Sequence, residues 1–117
     1  MIAVFGFPLA AEKGAQRAVR AAIAMLDEPA RLVASWKGHG LPSIQRIGIG
    51  IDTGTVVFME IGGRTRSQFD IIGDCMNGAS RIEHLTKGLE RRLLSSEESC
   101  RGLENDDSLA ASFGLVR

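Results

Sequence analysis

Eight polar residues have the types and settings to do chemistry: Asp52, Arg64, Arg66, Asp70, Asp74, Asn77, Arg81 and His84. Asn77 and Arg81 stand four apart in a segment of helical periodicity, so they share one face. An amide beside a guanidinium offers donors to a ribose oxygen and to a phosphate, whose oxygens suit the planar Arg fork. Spacing alone does not separate this pair from an ordinary solvated helix face. Asp70 lies between Phe69 and Ile71 in a short apolar strand. A carboxylate there must be paired, hydrogen-bonded or at an opening, and an edge-strand position accounts for it equally well. Asp74 begins the following helix and reads as its N-terminal cap rather than as a catalyst. Gly62-Gly63-Arg64-Thr65-Arg66 could cradle an anion, but it lacks Walker spacing and a following helix, so it reads as a hairpin. His39 sits among loop glycines and His84 is isolated on a helix; neither is assigned a metal or base role. No Ser/His/Asp set or zinc spacing is present.

The elements that must hold these residues follow from periodicity. Ile2–Phe7 reads as a strand ended by Gly6 and Pro8. From about Ala15, the residues Ala18, Ala21, Ala22, Met25 and Leu26 recur at helical spacing, and Pro29 is expected to kink or end that helix. Leu32, Val33 and Trp36 could extend the stripe in a second short segment, before a loop at Gly38–Pro42. Ile47-Gly48-Ile49-Gly50-Ile51 alternates isoleucine with glycine, a strand whose bare face implies that something large approaches closely. Asp52-Thr53-Gly54 is a turn into a second strand at Thr55–Ile61, giving a two-strand meander, and Gln68–Ile72 is a third strand. A helix opens at Gly73-Asp74 and runs to about Lys87, with Gly88 as its stop. Leu93-Leu94 is a short strand, and Ser95-Ser96-Glu97-Glu98 carries serine caps and first-turn carboxylates for a last helix. Glu104–Asp107 reads as a solvated turn and Phe113–Val116 as a final strand. Helices alternating with a largely antiparallel sheet predict an α+β sandwich.

Composition bounds the rest. The 117 residues suit one domain or part of one, and 44% hydrophobic with 24% charged residues is ordinary globular usage. Fourteen basic and fourteen acidic residues cancel, so bulk charge does not argue for nucleic acid or membrane. Cys75 and Cys100 make neither a disulfide framework nor a metal spacing. No apolar run approaches the roughly 20 residues that span a bilayer, and no signal peptide is evident, so the expected location is cytoplasmic.

Several blocks resemble consecutive parts of class III adenylate/guanylate cyclase catalytic domains. They are Met1–Pro8, Gly14–Ala22, Ile47–Gly54 and the stretch Phe69-Asp70-Ile71-Ile72-Gly73-Asp74 through Asn77-Gly78-Ala79-Ser80-Arg81-Ile82-Glu83. They fall in family order and cover about residues 1–87, with a weaker tail over 88–117. The resemblance implies the family's ferredoxin-like α+β sandwich, here lacking the first strand and helices. It implies conversion of ATP to cyclic AMP and pyrophosphate, the 3′-hydroxyl attacking the α-phosphate. By match to the motif, Asn77 would orient the ribose, Arg81 would stabilise charge on the α-phosphate, and Asp70 would read the purine and favour ATP. It further implies a head-to-tail dimer, either of this chain or with a complete cyclase domain. In that dimer one subunit gives metal-binding aspartates and the other gives the Asn/Arg helix.

The departures shape the expectation as much as the matches. Both metal-binding aspartates and the purine-pairing lysine of the family would lie upstream of Met1, so Mg²⁺ or Mn²⁺ is expected in the complete family domain and not on these residues alone. Met59-Glu60 stands where a glycine is usual, and Gly78 weakens the helix that carries Asn77 and Arg81. The family's later phosphate-binding lysine has no counterpart here. Three readings follow: a piece of an adenylate cyclase whose upstream part is missing, a non-catalytic cyclase-like partner or nucleotide-binding regulator, and an unrelated ferredoxin-like interaction module.

Overall fold

The computed structural model describes residues 1–6, 13–36, 38, 40, 46–63 and 66–103. Among them three helices and four strands follow one another: α1 (Gly14–Trp36), β1 (Ile49–Ile51), β2 (Val57–Gly63), β3 (Arg66–Ile72), α2 (Asp74–Gly88), β4 (Leu93–Ser95) and α3 (Glu97–Arg101). The mixed helix-and-strand composition is that of an α+β domain.

The strands pair differently from a simple meander. β2 and β3 form an antiparallel hairpin from Val57↔Ile72 to Gly63↔Arg66, leaving a two-residue connection. That connection, Arg64-Thr65, lies outside the described residues, as do His39, Glu104–Asp107 and Phe113–Val116. β1 does not pair with β2. It runs parallel to β4, with Ile49 opposite Leu93 and Ile51 opposite Ser95. Parallel neighbours need a crossover, and the hairpin plus α2 provide it. The described strands therefore make two two-stranded ladders, one parallel, rather than the largely antiparallel sheet that the pattern suggested.

Two further expectations change. Residues 2–6 are not in a strand: Met1 and Ile2 are exposed, and Phe5-Gly6 makes a bend. Extended backbone becomes a ladder only beside a partner, and none of the described residues pairs with this segment. α1 does not stop at Pro29 but continues through it to Trp36. Proline removes one backbone bond. Leu32, Val33 and Trp36 nevertheless remain half-buried beyond it, so packing carries the helix past the interruption. One Nη of Arg92 also reaches the Leu26 carbonyl from β4's side at 3.4 Å.

The core is small. Val19 of α1 and Leu103, just after α3, are fully buried against each other, with Ala15, Ile23 and Ile51 packed around them. Leu26 and Ala22 continue the buried stripe on α1. α2 lies across β1, and the glycines anticipated as a bare face are where it sits. A Cβ on Gly50 would overlap the Ala79 carbonyl and the Glu83 backbone nitrogen, and one on Gly48 would overlap the Thr86 hydroxyl. The large neighbour implied by the sequence is thus helix backbone. Arg46, just before β1, donates from Nη2 to the carbonyls of Thr86 and Arg91, both at 3.0 Å, satisfying the C-terminal end of α2.

Gly50→Ala should therefore destabilise the protein by about 1–3 kcal/mol in urea unfolding, because the added methyl meets backbone that cannot rotate away. Gly88, at the open end of α2 with nothing near its Cβ position, is the contrast. Gly88→Ala should be neutral or stabilising by up to about 1 kcal/mol in the same measurement.

Candidate functional site

The site candidates follow one another along a strand, a single-residue joint and a helix. β3 ends at Ile72, Gly73 is the joint, and α2 begins at Asp74. Gly73 fits because its Cβ position is 2.6 Å from the Thr55 carbonyl oxygen and 3.0 Å from the Val56 side chain. Any larger residue would push the joint away from the chain at 55–56, just ahead of β2. Gly73 is also the N-cap, with no side-chain hydrogen bond. Asp74 is thus not the cap expected from the sequence but the first helical residue, where its charge still complements the helix dipole.

α2 sorts its residues by face. Cys75, Met76, Gly78, Ala79, Ile82, Glu83 and Thr86 turn inward, and Asn77, Ser80, Arg81 and His84 are exposed. Asn77 and Arg81 are one turn apart, about 6 Å along the axis, on the outer face. His84 shares that face, and its Nδ1–H donates to the Ser80 carbonyl at 2.7 Å, with Glu83 Oε2 3.5 Å away. Its ring is held locally by its own helix.

Asp70 is exposed on β3, opposite Met59. Its Oδ1 accepts from the Ile71 N–H at 2.9 Å, so the carboxylate is partly satisfied by its own backbone. Directly opposed residues of an antiparallel pair share a face. Val57, Met59, Ile61, Gln68, Asp70 and Ile72 therefore lie on one side of the hairpin. Four of these are large apolar side chains left exposed, from Met59 at 38% to Val57 at 56%. The carboxylate stands in the middle of an uncovered apolar surface.

Asp52 is the residue whose place the sequence did not reveal. A Cβ on Gly78 would overlap Asp52 Oδ2, so this carboxylate lies against α2 beside the residue that follows Asn77. Gly78 is no mere weak point in the helix, since it makes room for Asp52. A glycine in an otherwise regular helix was the available signal. Among the described residues no cluster of three or more His, Cys, Asp or Glu could hold a metal ion.

Residues 1–114 match the family described as the adenylate and guanylate cyclase catalytic domain. The chain belongs to that family. It is 32% identical over 96 residues to "Adenylate cyclase 1" of Rhizobium meliloti, covering 82% of this chain and 14% of that protein. It is 44% identical over 71 residues to "Adenylate cyclase" of Anabaena cylindrica, covering 61% of this chain and 14% of that protein. An uncharacterized protein of Mycobacterium tuberculosis is 33% identical over 85 residues, 73% of this chain and 15% of its own length. The chain thus spans about one seventh of the length of these relatives. No solved structure matches it. No described helix is long and apolar enough to cross a membrane.

The cyclase-family helix yields a direct test of its inner contact. Gly78→Ala should lower the unfolding midpoint although alanine is the better helix former by about 1 kcal/mol. Adding Asp52→Ala to that variant should restore stability, as thermal unfolding by circular dichroism would show.

Proposed function

We propose that these 117 residues supply the purine-reading and transition-state half of an adenylate cyclase site, converting ATP to cyclic AMP and pyrophosphate within an intracellular signalling protein. The observation that carries this reading is the placement of Asn77 and Arg81 one turn apart on the exposed face of α2, directly downstream of Asp70 on β3. Asn77 holds the ribose so that the 3′-hydroxyl faces the α-phosphate. Arg81 places its guanidinium where charge builds on the α-phosphate oxygens, an electrostatic contribution of the kind phosphoryl transfer depends on. Asp70 accepts a hydrogen bond from the adenine amino group, which guanine does not offer at that position.

The remaining half comes from a second cyclase domain docked head to tail. That domain would bring the aspartates that hold Mg²⁺ or Mn²⁺, and the ions would supply charge neutralisation at the phosphates. The uncovered apolar face of the hairpin around Asp70 supports such an association, since exposed patches of this kind mark interaction surfaces. The same surface fits a regulatory variant of this reading, in which the chain binds nucleotide and a cyclase partner without turnover.

Two measurements test the proposal. These 117 residues by themselves should make no cyclic AMP from ATP with Mg²⁺ or Mn²⁺, and activity from the purified protein would overturn the half-site reading. Mixed with a family domain that keeps its metal aspartates but has lost its own helix Asn and Arg, the chain should restore turnover. In that mixture Asn77→Ala and Arg81→Ala should each cost about 10²-fold or more in kcat, as loss of one transition-state donor does. Asp70→Ala should reduce the preference for ATP over GTP by about tenfold or more. Nucleotide binding without turnover in the mixture would favour the regulatory variant.

A further inference from the structure

The half of α2 that bears Asn77 and Arg81 has no fully buried residue; the helix's one buried side chain, Thr86, lies near its other end. That far end is also where Arg46 ties the Thr86 carbonyl to that of Arg91, beyond the helix. In the first two turns, β1 supports the helix at Gly50, whose Cβ position meets the Ala79 carbonyl, and the remaining support comes from residues beyond the strand. The neighbours there are the residues of the turn after β1: Asp52 lies against Gly78, and the Cβ position of Gly54 is 2.8 Å from Cys75 Cβ. Both turn residues meet the helix where it has little side chain of its own to interlock.

The turn itself is anchored from its other side. Thr53 Oγ1 and Ser99 Oγ are 2.7 Å apart, a hydroxyl pair joining positions 46 residues apart in the chain. Ser99 is completely buried. Its N–H donates to Ser96 Oγ at 3.3 Å, and the Ser96 N–H donates to the Ile51 carbonyl at 2.9 Å. The cap of α3 therefore grips both the end of β1 and the turn that follows. Within the turn, Asp52 Oδ1 accepts from the Thr53 N–H at 2.9 Å, which sets the carboxylate facing α2.

Building on the cyclase reading above, we propose that Thr53 is a positioning residue: through Ser99 it locks the Asp52–Gly54 turn against α2 and so sets where Asn77 and Arg81 stand. In this role Thr53 acts through its neighbours and not by contact with the nucleotide. Its effect passes to the adjacent Asp52, across to Gly78, and on to the adjacent Asn77. Turnover is sensitive to such placement, since a shift of about 1 Å in a reacting group can cost about 10²-fold.

The test uses the full chain in the mixed dimer described above, with ATP and Mn²⁺. Thr53→Val keeps the shape and removes the hydroxyl, Ser99→Ala removes the other partner, and Thr53→Ser keeps the hydroxyl. Thr53→Val and Ser99→Ala should each lower kcat about tenfold or more with KM for ATP unchanged, while Thr53→Ser retains most of kcat. Should Thr53→Val not fold, Thr53→Ala takes its place, since Ser99 Oγ also accepts from Ser96 Oγ at 3.2 Å and Ser99→Ala removes both contacts. Wild-type kcat in the hydroxyl-deleted variants, with Asn77→Ala inactive, would overturn this inference and leave the cyclase reading standing. An equal loss in Thr53→Ser, or a loss expressed in KM, would overturn it as well. Full turnover in Asn77→Ala would remove the cyclase reading and this inference together.

Discussion

Backbone-distance packing of α2 on β1 is the constraint from which the rest of this domain follows. Gly48 and Gly50 clear a strip of strand for Thr86, Ala79 and Glu83, and Gly78 clears the helix for Asp52. Packing at this distance leaves no slack for a methyl group, so the helix has one available depth. It also carries the chain across from β1 to a parallel β4, because the helix must lie over the strands it connects. The parallel ladder and the glycine pattern are two sides of one arrangement.

The same packing divides α2 into faces and halves. Inward, small residues, Thr86 and the Arg46 clamp hold the helix; outward, Asn77, Ser80, Arg81 and His84 stand in solvent. A polar face with few bonds to its own domain is a surface available to something else. The hairpin shows the matching property in apolar form, with Val57, Met59, Ile61 and Ile72 uncovered around Asp70. Exposed apolar side chains of this extent suit burial against a partner, as the proposed half-site would require.

Among the described residues the core is correspondingly modest. Val19 and Leu103 anchor it, and Leu103 lies within the stretch that matches the cyclase family. Ser96 and Ser99 in the same stretch hold the end of β1 and its turn. The segment after β4 is thus part of what supports the helix, although its residues would pass for an ordinary capped turn.

Much was legible in the sequence because it depended on local pattern. The face shared by Asn77 and Arg81, the helix over 74–88, the hairpin around Gly62-Gly63 and the serine cap of α3 all follow from spacing and cap chemistry, which neighbours in the chain decide. The family blocks, in order, were equally visible. What tertiary structure decided was every choice between competing partners. β1 paired with β4 and not with β2, α1 ran through Pro29 because its stripe stayed half-buried, and residues 2–6 formed no strand because no described backbone lay beside them. Gly78 read as a weakness until Asp52 was seen to occupy its space, and Thr53 gained a role only when Ser99 arrived from 46 residues away. Periodicity reports which faces of an element are apolar or bare; which surface fills them is fixed by packing among residues far apart in the chain.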